Sequence, residues 1–132
     1  MSIHLGWYHV DSQEILHYIF YPNWVWAEIY QLKKRADRML QLSKHAIPVF
    51  FDFRLSSQLP PGMLNHGRQI VATRHPQGSP LVIVGGERLI YNTFKIAERM
   101  LNDPTLLDDV VFTKSMPEAE HFIRAQLYQQ QV

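Results

Sequence analysis

The stretch Ile47–Gly62, IPVFFDFRLSSQLPPG, decides the fold. Val49, Phe50, Phe51 and Phe53 form an apolar run without clean alternation, the pattern of a strand buried on both faces. Asp52 sits inside that run, near its C-terminal end. A polar loop follows, and then Pro60-Pro61, which suits a helix start because proline at the first helical position loses no needed hydrogen bond. In open α/β sheets the loops after central strands receive ligands and partners. The sequence therefore places a working site here.

Working toward the N-terminus, Val25, Ile29, Leu32, Ala36, Met39 and Leu40 recur at helical spacing. This predicts a helix from an Asn23 cap to about Leu42, with Lys33, Lys34 and Arg38 largely off the apolar stripe. Before it, Trp7–Val10 and Ile15–Phe20 read as a hairpin around Asp11-Ser12-Gln13. Toward the C-terminus, a second helix is expected from about Pro61 to Arg74, stopped by His75-Pro76. Leu81–Val84 reads as a strand closed by Gly85-Gly86, and a third helix ends near Leu101. Val110–Thr113 reads as the last strand. Ser115-Met116-Pro117-Glu118 matches a capping box ahead of a last helix with Ala119, Phe122, Ile123 and Leu127 inward. The expected order is β-β-α-β-α-β-α-β-α, an α/β fold with a mixed sheet in one domain spanning 1–132.

Composition narrows the function classes. The formal net charge is +1, which gives no global pull toward nucleic acid. Cysteine is absent, which removes disulfides, thiol nucleophiles and thiolate metal ligands and fits a cytoplasmic protein. No stretch approaches a membrane span of roughly 20 apolar residues, and no signal peptide is read at the N-terminus.

The strand–aspartate–loop–helix at Val49–Met63, the strand and glycine pair LVIVGG at Leu81–Gly86, and the ending VVFTKSMPEAEHFI at Val110–Ile123 resemble the STAS superfamily. That is the fold of the anti-sigma-factor antagonists and of the cytoplasmic domains of sulfate transporters. The resemblance extends, as element order, over nearly the whole chain. It implies a non-enzymatic regulatory module that works through protein contacts with a regulator or kinase-like partner. Family antagonists are switched by phosphorylation of a hydroxyl at the start of the second helix, just beyond an aspartate. Asp52 matches that aspartate, but Pro61 or Gly62 occupies the hydroxyl position, so the usual phosphoacceptor is missing or displaced to Ser56 or Ser57. The partner-binding or regulatory set is accordingly Asp52, Arg54, Ser56, Ser57, Pro61, Gly62 and Met63.

Other constellations are weighed on their chemistry. Asp52 could accept a phosphoryl group, but a receiver also needs an acidic pair to hold magnesium, and only Asp11 and Glu14 are on offer, in a turn. The plainer expectation is an aspartate that bonds loop amides and pairs with Arg54 or Arg68. His9 and His17 could face each other across the hairpin, yet nothing by spacing completes a zinc shell, so no metal and no cofactor is expected. Gly85, Gly86 and Arg88 could cradle an anion after a buried strand. This supports an alternative reading as a sensor or carrier of an anionic or lipid-like ligand held between them and the Ser56 loop. A third class, an enzyme using Asp52 and His66, has no legible nucleophile–base–acid order.

Half of the sixteen aromatics fall in the first thirty residues, more than a hairpin and one helix easily bury. Tyrosine and tryptophan are enriched at protein interfaces. Trp24 and Trp26 lie about 200° apart on a helix, so one is expected to face outward. Trp7, Trp24 and Trp26 are therefore the expected aromatic surface, serving self-association as a homodimer or a partner.

Overall fold

A computed structural model describes residues 2–56 and 58–130; at 87–89, 128 and 130 it describes the backbone alone. The elements are β1 (Ile3–Val10), β2 (Gln13–Phe20), α1 (Trp26–Gln41), β3 (Val49–Asp52), α2 (Met63–Ala72), β4 (Leu81–Val84), α3 (Glu87–Met100), β5 (Val110–Thr113) and α4 (Met116–Gln130). The fold is α/β, a five-stranded mixed sheet with four helices, in the element order read from the sequence. None of these helices is long and apolar enough to cross a membrane.

The sheet runs β1-β2-β3-β4-β5, with β1 antiparallel to β2 and every later pair parallel. Each crossover moves one strand in the same direction. With the right-handed sense such crossovers adopt, α1, α2 and α3 must then cover one face. Their inward residues do form one core, in which Ile29, Leu32, Ile70, Val71, Ile90 and Phe94 pack on Leu16, Tyr18, Phe20, Phe53 and Ile83. The opposite face carries α4 alone, whose Met116, Ala119 and Ile123 meet Val10, Ile15, Phe50, Val82 and Val84.

Strand alternation explains the division. Leu16, Tyr18 and Phe20 point to the three-helix face, whereas Ile15 and His17 point to the α4 face. β1 begins at Ile3, earlier than the Trp7 start expected, because Ile3 and Leu5 alternate into the core and pair with Phe20 and Tyr18. The capping box forms with one shift: the Ser115 hydroxyl accepts the Glu118 N–H at 3.3 Å, but the Glu118 carboxylate reaches past the cap and accepts the Lys114 N–H at 3.1 Å.

Two helix starts differ from expectation. α1 opens at Trp26 behind an extended Val25, and Asn23 instead takes a left-handed turn with φ 70°. Trp24 is the reason: its ring is drawn into the core against Phe20, with centroids 4.9 Å apart, and a helix from Asn23 would carry it away. α2 opens at Met63 rather than Pro61, because Gly62 adopts φ 90°, a left-handed turn that glycine accommodates without a Cβ penalty.

Candidate functional site

The C-terminal end of β3 leads into a loop held at three points. The first is Asp52, itself 1% exposed. One carboxylate oxygen accepts the Arg54 backbone N–H at 3.1 Å and Arg54 Nε at 2.8 Å. The other accepts Arg54 Nη2 at 2.7 Å and lies 3.0 Å from His17 Nε2. Burial alone would push this carboxyl up. The hydrogen bonds from Arg54 and His17, together with the guanidinium charge, outweigh it and hold Asp52 well below the ordinary carboxylate range. Arg54 was one of the two partners expected, while Arg68 lies exposed on α2.

The second point is Ser56. Its hydroxyl accepts the Trp24 indole N–H at 3.1 Å and donates to the Gln58 carbonyl at 3.0 Å. Its N–H donates to the Phe53 carbonyl at 3.2 Å. The residue is buried, so its hydroxyl is a structural tie and is not presented to a kinase. Ser57, the other hydroxyl considered, lies outside the described residues.

The third point is Pro61, whose carbonyl accepts the Trp26 indole N–H at 2.8 Å. Trp26 stacks on His66 at 5.0 Å, and His66 Nδ1 is 2.7 Å from the Tyr30 hydroxyl. His66 is therefore engaged by an aromatic pair and does not approach Asp52 as an acid–base partner. Between these ties the loop presents Leu55, 54% exposed, the exposed Arg54, Gln58, Pro61 and Gly62, and the half-buried Met63.

Trp24 and Trp26 correct the aromatic-surface expectation. Both are buried, with ring centroids 4.7 Å apart. Because α1 starts at Trp26, Trp24 is not on the helix, and the angular argument that sent one ring outward does not apply. Each spends its single N–H on the β3–α2 loop. Of the three tryptophans, Trp7 alone is exposed.

On the α4 face the dyad of His17 and Asp52 continues into neighbouring groups. Tyr8 lies edge-on to His17 at 5.3 Å, and its hydroxyl donates to Glu120 of α4. That bond, with burial and the Glu120 charge, raises the Tyr8 hydroxyl above its ordinary value. The hairpin register sets Gly6 opposite His17 and Glu14 opposite His9, so the two histidines do not face each other. Asp11 and Glu14 lie at the hairpin turn and the start of β2, while Asp52 aligns with Ile19 near its far end. Among the described residues, no receiver-like acidic pair meets Asp52. Among the described residues, no group of three or more His, Cys, Asp or Glu side chains is placed to hold a metal ion.

Gly85 and Gly86 both have positive φ, 73° and 66°, as two successive left-handed residues before α3 require. The connections part here, since β4 leads to a helix on one face and β5 to a helix on the other. Two backbone contacts hold this point together among the described residues. The Gly85 N–H donates to the Thr113 carbonyl at 3.0 Å, and a Cβ on Gly85 would lie 3.1 Å from the Arg54 backbone nitrogen. The Arg88 side chain lies outside the described residues, although its backbone opens α3.

A separate crevice of about 40 Å³ lies between α1 and α2, over Leu16, Val49, Phe51 and Leu81. Tyr18, 4% exposed, lines it, and its hydroxyl has no hydrogen-bond partner among the described residues. Burial, with the Asp37 charge nearby, raises that hydroxyl.

Sequence reasoning missed the roles of His17, Trp24 and Trp26. His17 carried one usable signal: a polar residue flanked by Leu16 and Tyr18 on a strand must point opposite to them. No family model matches the chain, and no curated protein or solved structure does.

Proposed function

We propose that this chain is a non-enzymatic, STAS-like regulatory module that acts through protein contacts made by the β3–α2 loop, without the usual phosphoacceptor at the second helix. The observation that carries the reading is the saturation of Asp52. Its two oxygens are occupied by Arg54 and His17, so the carboxylate shapes the loop and is not open to a substrate or cation. The tied loop then offers a fixed, mixed surface of Leu55, Arg54, Pro61 and Gly62, with Met63 at its margin. A pre-ordered loop binds a protein partner without the cost of immobilising it at the moment of contact. Pro61, Gly62 and Met63 supply no hydroxyl, and Ser56 is buried.

The test is a photo-crosslinker at Gln58 in living cells, with Leu42 as an exposed control at the far end of α1. A discrete protein adduct at Gln58, absent at Leu42 and lost on Leu55→Asp, is the expected result. No adduct, or one indifferent to Leu55→Asp, overturns the reading.

A second reading, a small-ligand sensor, has one observation in its favour: the crevice between α1 and α2, lined by Tyr18. It places the ligand on the three-helix face, away from Ser56 and Gly85-Gly86. Native mass spectrometry decides it, since a retained adduct lost on Tyr18→Phe supports a sensor.

A further inference from the structure

We infer that β1 is a self-complementary edge through which two copies of this chain pair strand to strand, antiparallel, about a two-fold axis at Gly6. The backbone directions follow from two bonds. Leu16 sends its N–H to Pro48 on the β3 side, so its partner Trp7 receives no ladder bond from it. Tyr21 donates to the Ser2 carbonyl at the mouth of the hairpin. Antiparallel ladders alternate bonded and non-bonded pairs. Ser2, His4, Gly6, Tyr8 and Val10 therefore bond inward, and Ile3, Leu5, Trp7 and His9 turn their N–H and C=O groups outward; of these Trp7 and His9 are exposed, while Ile3 and Leu5 are buried.

Open edges usually carry devices against pairing: charges, proline, a bulge or short length. The two edges of this sheet differ in that respect. β5 is four residues long and is bracketed by Asp108, Asp109 and Lys114. β1 is eight residues long, pairs with β2 without a bulge, and holds no proline and no Lys, Arg, Asp or Glu. Trp7 stands 44% exposed on it.

A second copy fits this edge better than an unrelated strand because the edge is neutral and matches itself. With Gly6 facing Gly6, Ile3 meets His9 and Leu5 meets Trp7 in both directions, so every outward-turned residue finds an outward-turned partner. No like charges are opposed, and the exposed Trp7 ring is set beside Leu5 of the other copy. Glycine on the axis leaves the backbones free to approach, since a Cβ there would meet only the chain's own His4 ring. Pairing at this edge does not depend on the function proposed for the β3–α2 loop.

Sedimentation of the full chain over a micromolar range tests the proposal. The expected species is twice the 15.5 kDa chain mass, with the amides of Leu5, Trp7 and His9 gaining exchange protection as concentration rises. Trp7→Lys and Trp7→Pro should weaken dimerisation at least tenfold while circular dichroism stays unchanged. The proline variant removes the ring and, of the backbone groups, only an outward N–H. Leu42→Lys, at another exposed hydrophobic site, should leave the dimer intact. A monomer throughout, a dimer that persists in both Trp7 variants, or a dimer with those three amides unprotected overturns the inference. So does protection that appears only on adding an extended peptide, which would make the edge a receptor for peptides rather than for itself.

Discussion

Beneath α1, α2 and α3 the sheet presents Leu16, Tyr18, Phe20, Phe51 and Phe53; beneath α4 it presents Ile15, Phe50, Val82 and Val84, and then His17 and Asp52. Three helices can roof a whole face, so that side is apolar and aromatic throughout, with Phe20 stacked on Phe53 at 4.2 Å. One helix covers only a strip. Where the strip ends, the sheet is finished by a charged cluster that Arg54 closes from above, its side chain 45% exposed. The difference teaches that a polar cluster in a core can mark the limit of helical cover rather than a reactive centre.

The sharpest way to probe that contrast is to remove one residue from each face. Phe20→Ala should cost about 3–5 kcal/mol, because a fully buried ring leaves a cavity its neighbours only partly refill. Asp52→Ala should cost less, about 2–3 kcal/mol, below the range for fully buried pairs, because Arg54 can turn to water while His17 loses its partner. Urea denaturation of the two variants measures both. Equal losses would mean that the charged cluster is as deeply committed as the aromatic core.

The faces should also separate by pH. The folded Asp52 carboxyl lies below its unfolded value of about 3.9. Its contribution is therefore complete above that value and is lost as pH falls through the folded value. The stability gap between the native chain and Asp52→Asn should narrow from pH 5 to pH 2, while the gap for Phe20→Ala changes little. A constant Asp52 gap would show that packing, not ionisation, carries the residue's effect. The smallest expected effect is at the loop ties: Trp26→Phe keeps the ring but deletes the bond to Pro61, for about 1 kcal/mol. Hydrogen exchange should then quicken at Gly62 and Met63 ahead of the sheet.

Much of the architecture was legible in the sequence, and the reason is local. Val49–Phe53, Leu81–Val84 and Val110–Thr113 are short apolar runs bounded by turn residues, and Ser115 with Glu118 names its own helix start. What stayed hidden depends on contacts across the chain. Nothing near Trp24 in sequence says that its indole reaches Ser56, thirty-two residues on, or that Trp26 reaches the Pro61 carbonyl. Propensity alone therefore set α1 to begin at Asn23 and turned one tryptophan outward. Asp52 was placed correctly at the strand end, and Arg54 was read as a partner. His17 was not, because pairing the β2 register with β3 requires the sheet itself.

The strand order β1 to β5 has a consequence for how the molecule is made. Every strand lies beside the one that precedes it in the chain, so a growing polypeptide meets its next neighbour as soon as that strand is free of the ribosome. Loop closures stay short, and no strand has to wait for a distant segment before it can dock. The helix on the opposite face is the exception: α4 is the latest of the described elements to emerge. Until then Phe50, Val82 and Val84 have no cover. The nascent chain thus carries a greasy, half-roofed sheet from the making of β4 until α4 docks, and a chaperone that binds apolar strands would have its opportunity there.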